Sequence, residues 1–96
     1  MSMFDYVICH YPLPKRPYYA SSFQTKDLKC NIDTIMIDYG GNLMRTTMTE
    51  VELILYTGLV NIYSYGLGEQ RVEYQLQFSS GRLIRIELTN LVEEEI

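Results

Sequence analysis

From Arg71 to Phe78 the chain alternates without a break: Val72, Tyr74, Leu76 and Phe78 are apolar or aromatic, while Arg71, Glu73, Gln75 and Gln77 are polar. Successive side chains of an extended strand point to opposite faces, whereas a helix would scatter this pattern around its circumference. The segment is therefore a strand with one face on a core and the other toward water, the habit of antiparallel sheets. Ser79-Ser80-Gly81 is a tight-turn signal, and Arg82 to Leu88 returns with Ile84, Ile86 and Leu88 on its apolar side. Upstream, Leu59 to Tyr65 is a further strand, joined by the loop Gly66-Leu67-Gly68-Glu69-Gln70. Three consecutive strands with short connections make a C-terminal β-meander.

The remainder keeps the same character. Tyr6 to Tyr11 reads as a first strand, ended by Pro12-Leu13-Pro14-Lys15-Arg16-Pro17. Prolines so closely spaced cannot join a central ladder, so this is an extended loop. Tyr18 to Thr25 is extended again. Ile32 to Ile37 is β-branched and apolar, and Asp38-Tyr39-Gly40-Gly41-Asn42 turns it back into Leu43 to Arg45. Val51 to Tyr56 is a short strand, and Thr46 to Glu50 holds the one weak helix-cap signal. The expectation is an all-β fold with at most one short helix: a small antiparallel β-sandwich or a partly open barrel. A chain of 96 residues is one domain with one modest core, here residues 1–90 followed by an acidic tail, 91–96.

Charge narrows the function classes. The formal net charge is −4, which carries no basic footprint for duplex nucleic acid. Its distribution is uneven. The first half holds Lys15, Arg16, Lys26, Lys29 and Arg45 against Asp5, Asp27, Asp33 and Asp38, a net of +1, and the second half carries −5. Glu93, Glu94 and Glu95 form an acidic run just before the last residue, Ile96. This run reads as a solubilising tail or as an acidic surface for a basic groove on a partner, attracted at long range and screened by salt. The opening residues lack a basic signal-peptide region, and the longest apolar stretch, Leu53 to Val60, is too short to span a bilayer. A cytoplasmic protein with reduced thiols at Cys9 and Cys30 is expected.

The chemistry-bearing residues are few. His10 is the sole histidine, so a thiol–imidazole pair would have to join it to Cys9 or Cys30. Adjacent residues on a strand face opposite ways, which separates Cys9 from His10, and the ligand spacing of a structural zinc site is missing. Gly66-Leu67-Gly68 lacks the third glycine and the helix of a phosphate-binding loop. The carboxylates sit on turns, on polar strand faces or in the tail. Pro14-Lys15-Arg16-Pro17 has the form of a PxxP ligand, and Tyr18-Tyr19 beside two bases could stack on single-stranded bases. Within one small domain, both read more simply as a connecting loop. No cofactor and no metal site is expected.

Phe4-Asp5-Tyr6, Tyr11-Pro12-Leu13-Pro14, Phe23-Gln24-Thr25-Lys26-Asp27-Leu28 followed by Cys30, and Phe78-Ser79-Ser80-Gly81-Arg82-Leu83 occur together in this chain. The combination resembles a group of short proteins encoded by bacteriophages and prophages, whose closing hairpin carries an acidic residue where this chain has Ser80. The resemblance implies an accessory protein with no established enzymatic activity. Within the block, Gln24, Lys26 and Asp27 either tie down a turn or contact a partner. The expected function is thus a non-enzymatic accessory protein that occludes a host protein, with Gln24, Lys26, Asp27, Glu93, Glu94 and Glu95 as candidate contacts. A homodimer through an exposed strand edge is compatible with this. The alternatives are a small-molecule or nucleotide binder with a pocket among the tyrosines, and a weak thiol-dependent enzyme.

Overall fold

The computed structural model describes residues 4–28, 34–46 and 49–92. Cys30, Asp33, Glu93, Glu94 and Glu95 lie outside the described residues, as do Thr47 and Met48 of the expected helical turn. Eight strands follow in order: β1 (Asp5–Cys9), β2 (Phe23–Thr25), β3 (Thr34–Ile37), β4 (Leu43–Thr46), β5 (Val51–Leu53), β6 (Gly58–Tyr65), β7 (Arg71–Ser79) and β8 (Arg82–Val92). The described residues contain no helix. The all-β fold is as the alternation predicts, and β6, β7 and β8 form the expected meander.

The strands make one open sheet in the order β5-β4-β3-β1-β2-β6-β7-β8. It is mixed rather than wholly antiparallel, because β1 and β3 run parallel, with Tyr6 opposite Thr34 and Cys9 opposite Ile37. The cause is topological. Thr25 at the end of β2 lies opposite Asp5, at the start of β1. The chain then crosses to the other side of β1 and enters β3 from that same end, so β3 has to run alongside β1. Nothing in the local pattern of β1 or β3 encodes this.

The sheet curls so that its far parts meet at one corner. Asn42 bridges to Arg82, with the Leu83 amide donating to the Gly41 carbonyl and the Leu43 amide to the Gly81 carbonyl, both at 2.8 Å. The Gly81 amide also donates to the Tyr56 carbonyl at 2.8 Å. The tip of the β7–β8 hairpin is thereby held against both sides of the β4–β5 region. Ser80 and Gly81 both have positive φ, 48° and 81°, the backbone of a two-residue hairpin turn. A Cβ on Gly81 would collide with the Ile54 carbonyl oxygen, so close approach as well as φ demands glycine there.

The core lies on the inner face. Val7 and Cys9, Phe23, Ile35 and Ile37, Leu43, Val60 and Ile62, and then Val72, Tyr74, Leu76 and Phe78 are all buried there. A one-sheet fold needs something to cover that face, and the proline-rich loop supplies it. Leu13 and Ala20 join the core, and the Tyr74 hydroxyl donates to the Pro14 carbonyl at 2.7 Å. Arg16 staples the loop down. Its guanidinium donates to the carbonyls of Ala20 (2.7 Å), Cys9 (2.8 Å) and Ser21 (3.3 Å), and it lies 5.3 Å from the centre of the Phe23 ring. The loop is therefore a layer of the core, not a free PxxP ligand.

β8 departs from the simple alternation. Gln77 faces Arg85 but Phe78 faces Leu83, so Ile84 is the extra residue of a bulge. Leu83 is 8% exposed and Ile84 58% exposed, the reverse of the sequence expectation for Ile84. A second register shift lies at Thr89, between the pairs Glu73–Asn90 and Tyr74–Leu88. Beyond it the strand continues to Val92, past the expected end of the domain, because Leu91 and Val92 pair with Val72 and Arg71.

Candidate interaction surface

The seam between the two halves of the sheet is thin. β2 and β6 share one registered pair, Gln24 with Tyr63. The Thr25-Lys26-Asp27 turn reinforces it. The Thr25 hydroxyl donates to the Asn61 carbonyl at 2.8 Å and accepts from the Asp27 amide at 3.2 Å. Asp27 Oδ2 accepts the Asn61 backbone amide at 2.6 Å and its side-chain amide at 3.1 Å. Asn61 Oδ1 in turn accepts from Gln75 at 3.4 Å, reaching β7. Asp27 thus extends the β2–β6 ladder by one residue, and the turn-tying role suggested by the sequence is the one its contacts fit. Lys26 is exposed beside it.

Gln24 is placed differently. It faces outward between Tyr6 on β1 and Tyr63 on β6, because residues directly opposite on neighbouring strands share a face. Phe4 packs edge-on against Tyr6 at 5.1 Å, and Tyr63 against Tyr65 at 5.7 Å. One register step along, Ile8, Met36, Met44 and Leu53 form a second outward row across β1, β3, β4 and β5. Tyr6, Leu53 and Tyr65 are exposed. The outer face is therefore aromatic and apolar from β5 across the seam to β6, while on β7 and β8 it carries Arg71, Glu73, Gln75, Gln77, Arg85 and Glu87.

Among these residues only Gln24 is a candidate contact on sequence grounds. The available signal was β6 itself. Val60 and Ile62 alternate with Leu59, Tyr63 and Tyr65, so the strand is apolar on both faces, and only one of them can face the core.

Cys9 is buried and its thiol donates to the Tyr11 carbonyl at 3.4 Å. Burial pushes this thiol above its ordinary range, against smaller opposing effects from that hydrogen bond and from Arg16. His10 faces the other way and stacks on Tyr39 at 5.1 Å. The described residues hold no cluster of His, Cys, Asp and Glu suited to a metal ion. Asp38 is held below the usual carboxylate range by the Asn42 backbone amide and then by the Asn42 side chain, with Gly40 also donating. That is hairpin-turn chemistry.

Three open surface grooves lie among the described residues. One of about 230 Å³ is lined by Asp27, Leu28, Arg45, Ile54 and Tyr56, one of about 280 Å³ by Leu59, Gln75, Gln77, Arg85 and Glu87, and one of about 420 Å³ includes Tyr65 and Arg71. Enclosed small-molecule sites usually span roughly 300–1,000 Å³ and converge a few polar groups on one point. Among the described residues no helix is long and apolar enough to cross a membrane. Comparison with protein-family models, with curated proteins and with solved structures finds no match to this chain.

Proposed function

We propose that this chain is a non-enzymatic accessory protein of the bacteriophage type that binds a host protein in the host cytoplasm and blocks it by occlusion. The target class is a host defence or nucleic-acid-processing component with a basic surface. The observation that carries this reading is the outward row Tyr6, Gln24 and Tyr63, flanked by Phe4, Tyr65 and the row from Ile8 to Leu53. A sheet face lined by aromatic and apolar side chains, exposed at Tyr6, Leu53 and Tyr65 and half-buried between them, is what a protein surface presents to a partner.

Size is adequate. The molecule measures 42 × 30 × 19 Å, so its broad face exceeds the roughly 800 Å² per partner of a standard interface. The acidic second half, with Glu93, Glu94 and Glu95 at its end, would steer the encounter toward a basic groove.

The test is affinity purification of the tagged protein from bacterial lysate at low and high salt. One host protein should be retained in stoichiometric amount and lost when Tyr6→Ser and Tyr63→Ser are combined. Recovery of the protein alone, or retention unchanged by that double substitution, overturns the reading.

A further inference from the structure

We infer that this protein forms a two-fold homodimer by antiparallel pairing of β8 with β8 of a second copy, centred on Ile86. β8 is one of the two edges of the sheet, and the other, β5, is three residues long. The start of β8 is occupied by the bridge to Asn42, and its end by the Tyr19 hydroxyl on the Val92 carbonyl at 3.3 Å. Between them, no described strand covers the side of β8 that faces away from β7.

Edge strands usually carry charge that repels a second copy. Here the charges do the opposite. Arg85 and Glu87 flank Ile86 on the outer face, are exposed, and form no ion pair with another described residue. An antiparallel pairing centred on Ile86 sets Arg85 against Glu87 of the second copy, and Glu87 against its Arg85. Moving the centre to Arg85 or to Glu87 sets like charges against each other, and parallel pairing in register does so at both positions. Charge thus selects one orientation and one register.

Apolar burial favours the same arrangement. Ile86 and Leu88 pack against the core from the inner face but remain half-buried, because no neighbouring strand lies beyond them. In the proposed register Ile86 meets Ile86 of the second copy, and Leu88 meets Ile84, the exposed bulge residue. The two sheets would join into one. The surface used is distinct from the Tyr6–Gln24–Tyr63 face, so dimerisation and host-protein binding stand or fall separately.

Sedimentation equilibrium of the full chain, up to about 1 mM, tests this. The wild type should dimerise, and Arg85→Glu and Glu87→Arg should each weaken the dimer roughly tenfold to a hundredfold by turning two attractive cross-strand pairs into repulsive ones. Mixing the two single variants should restore association as a heterodimer, and so should the double variant Arg85→Glu/Glu87→Arg on its own. Both side chains are exposed, so urea unfolding of each variant should match the wild-type monomer. A wild type that stays monomeric throughout, single reversals without effect, or a mixture that fails to associate would each overturn the proposal.

Discussion

Asp27 shows how one exposed side chain can serve the fold. Its carboxylate closes two hydrogen bonds to Asn61 at a seam that has one registered strand pair, Gln24 with Tyr63. Charge-assisted bonds of this kind stabilise more than neutral ones, although solvent access reduces the gain. Asp27→Ala is expected to lower the unfolding free energy by about 1 kcal/mol and to speed amide exchange in β6 around Asn61. Urea titration and hydrogen exchange measure both, and an unchanged midpoint would return Asp27 to the role of a partner contact. Arg16 is the counterpart at the other end of the core. Three carbonyls accept from its guanidinium, so a residue that reads as a basic surface group acts as the clasp of the covering loop.

At the scale of elements, β8 carries the clearest lesson. The bulge at Ile84 moves the apolar residue that alternation would bury out to solvent, and places Leu83 in the core opposite Phe78. It also lets the hairpin tip bend toward Gly41, Asn42 and Leu43, which straight alternation would not achieve. Leu83→Ala should therefore cost about 2–4 kcal/mol, as for other buried large-to-small changes. Ile84→Thr should stay within about 0.5 kcal/mol, as for exposed positions. Equal losses at the two positions in thermal or urea unfolding would contradict the bulge. The β3–β4 hairpin, by contrast, follows its sequence signal closely, with Asp38 gathering the amides of Gly40 and Asn42.

For the whole molecule, the titrating groups set a stability profile with two shoulders. Burial raises Cys9 above the ordinary thiol value of 9.0, and burial raises Tyr74 above the ordinary phenol value of 10.0, with Arg16 opposing in both cases. The unfolded chain therefore loses these protons first, binds fewer than the folded one, and gains stability as pH rises. Folding stability should fall above about pH 9, and Cys9→Ala should delay that fall toward the tyrosine range. In acid the sign reverses. Asp38 stays ionised in the folded state below its ordinary value of 3.8, so its contribution is present above that pH and lost as the pH drops below it. Urea midpoints from acid to alkaline pH would trace both shoulders, and a Cys9→Ala profile that begins to fall where the wild type does would refute the assignment.

Period-two alternation and turn chemistry are properties of neighbouring residues, so the strands, the C-terminal meander, the inner face of β7 and the turn at Asp38 are legible in the sequence. The sequence also offers a turn as one of two roles for Gln24, Lys26 and Asp27, the other being a contact with a partner. Tertiary structure alone decided the parallel pairing of β1 with β3, the use of the proline loop as a second layer, and the exposure of Ile84. It also decided which face of β6 turns outward with Tyr63 and Tyr65. Each of these depends on where distant segments meet once the sheet curls, and a contact between segments far apart in the chain leaves no periodic trace in either of them.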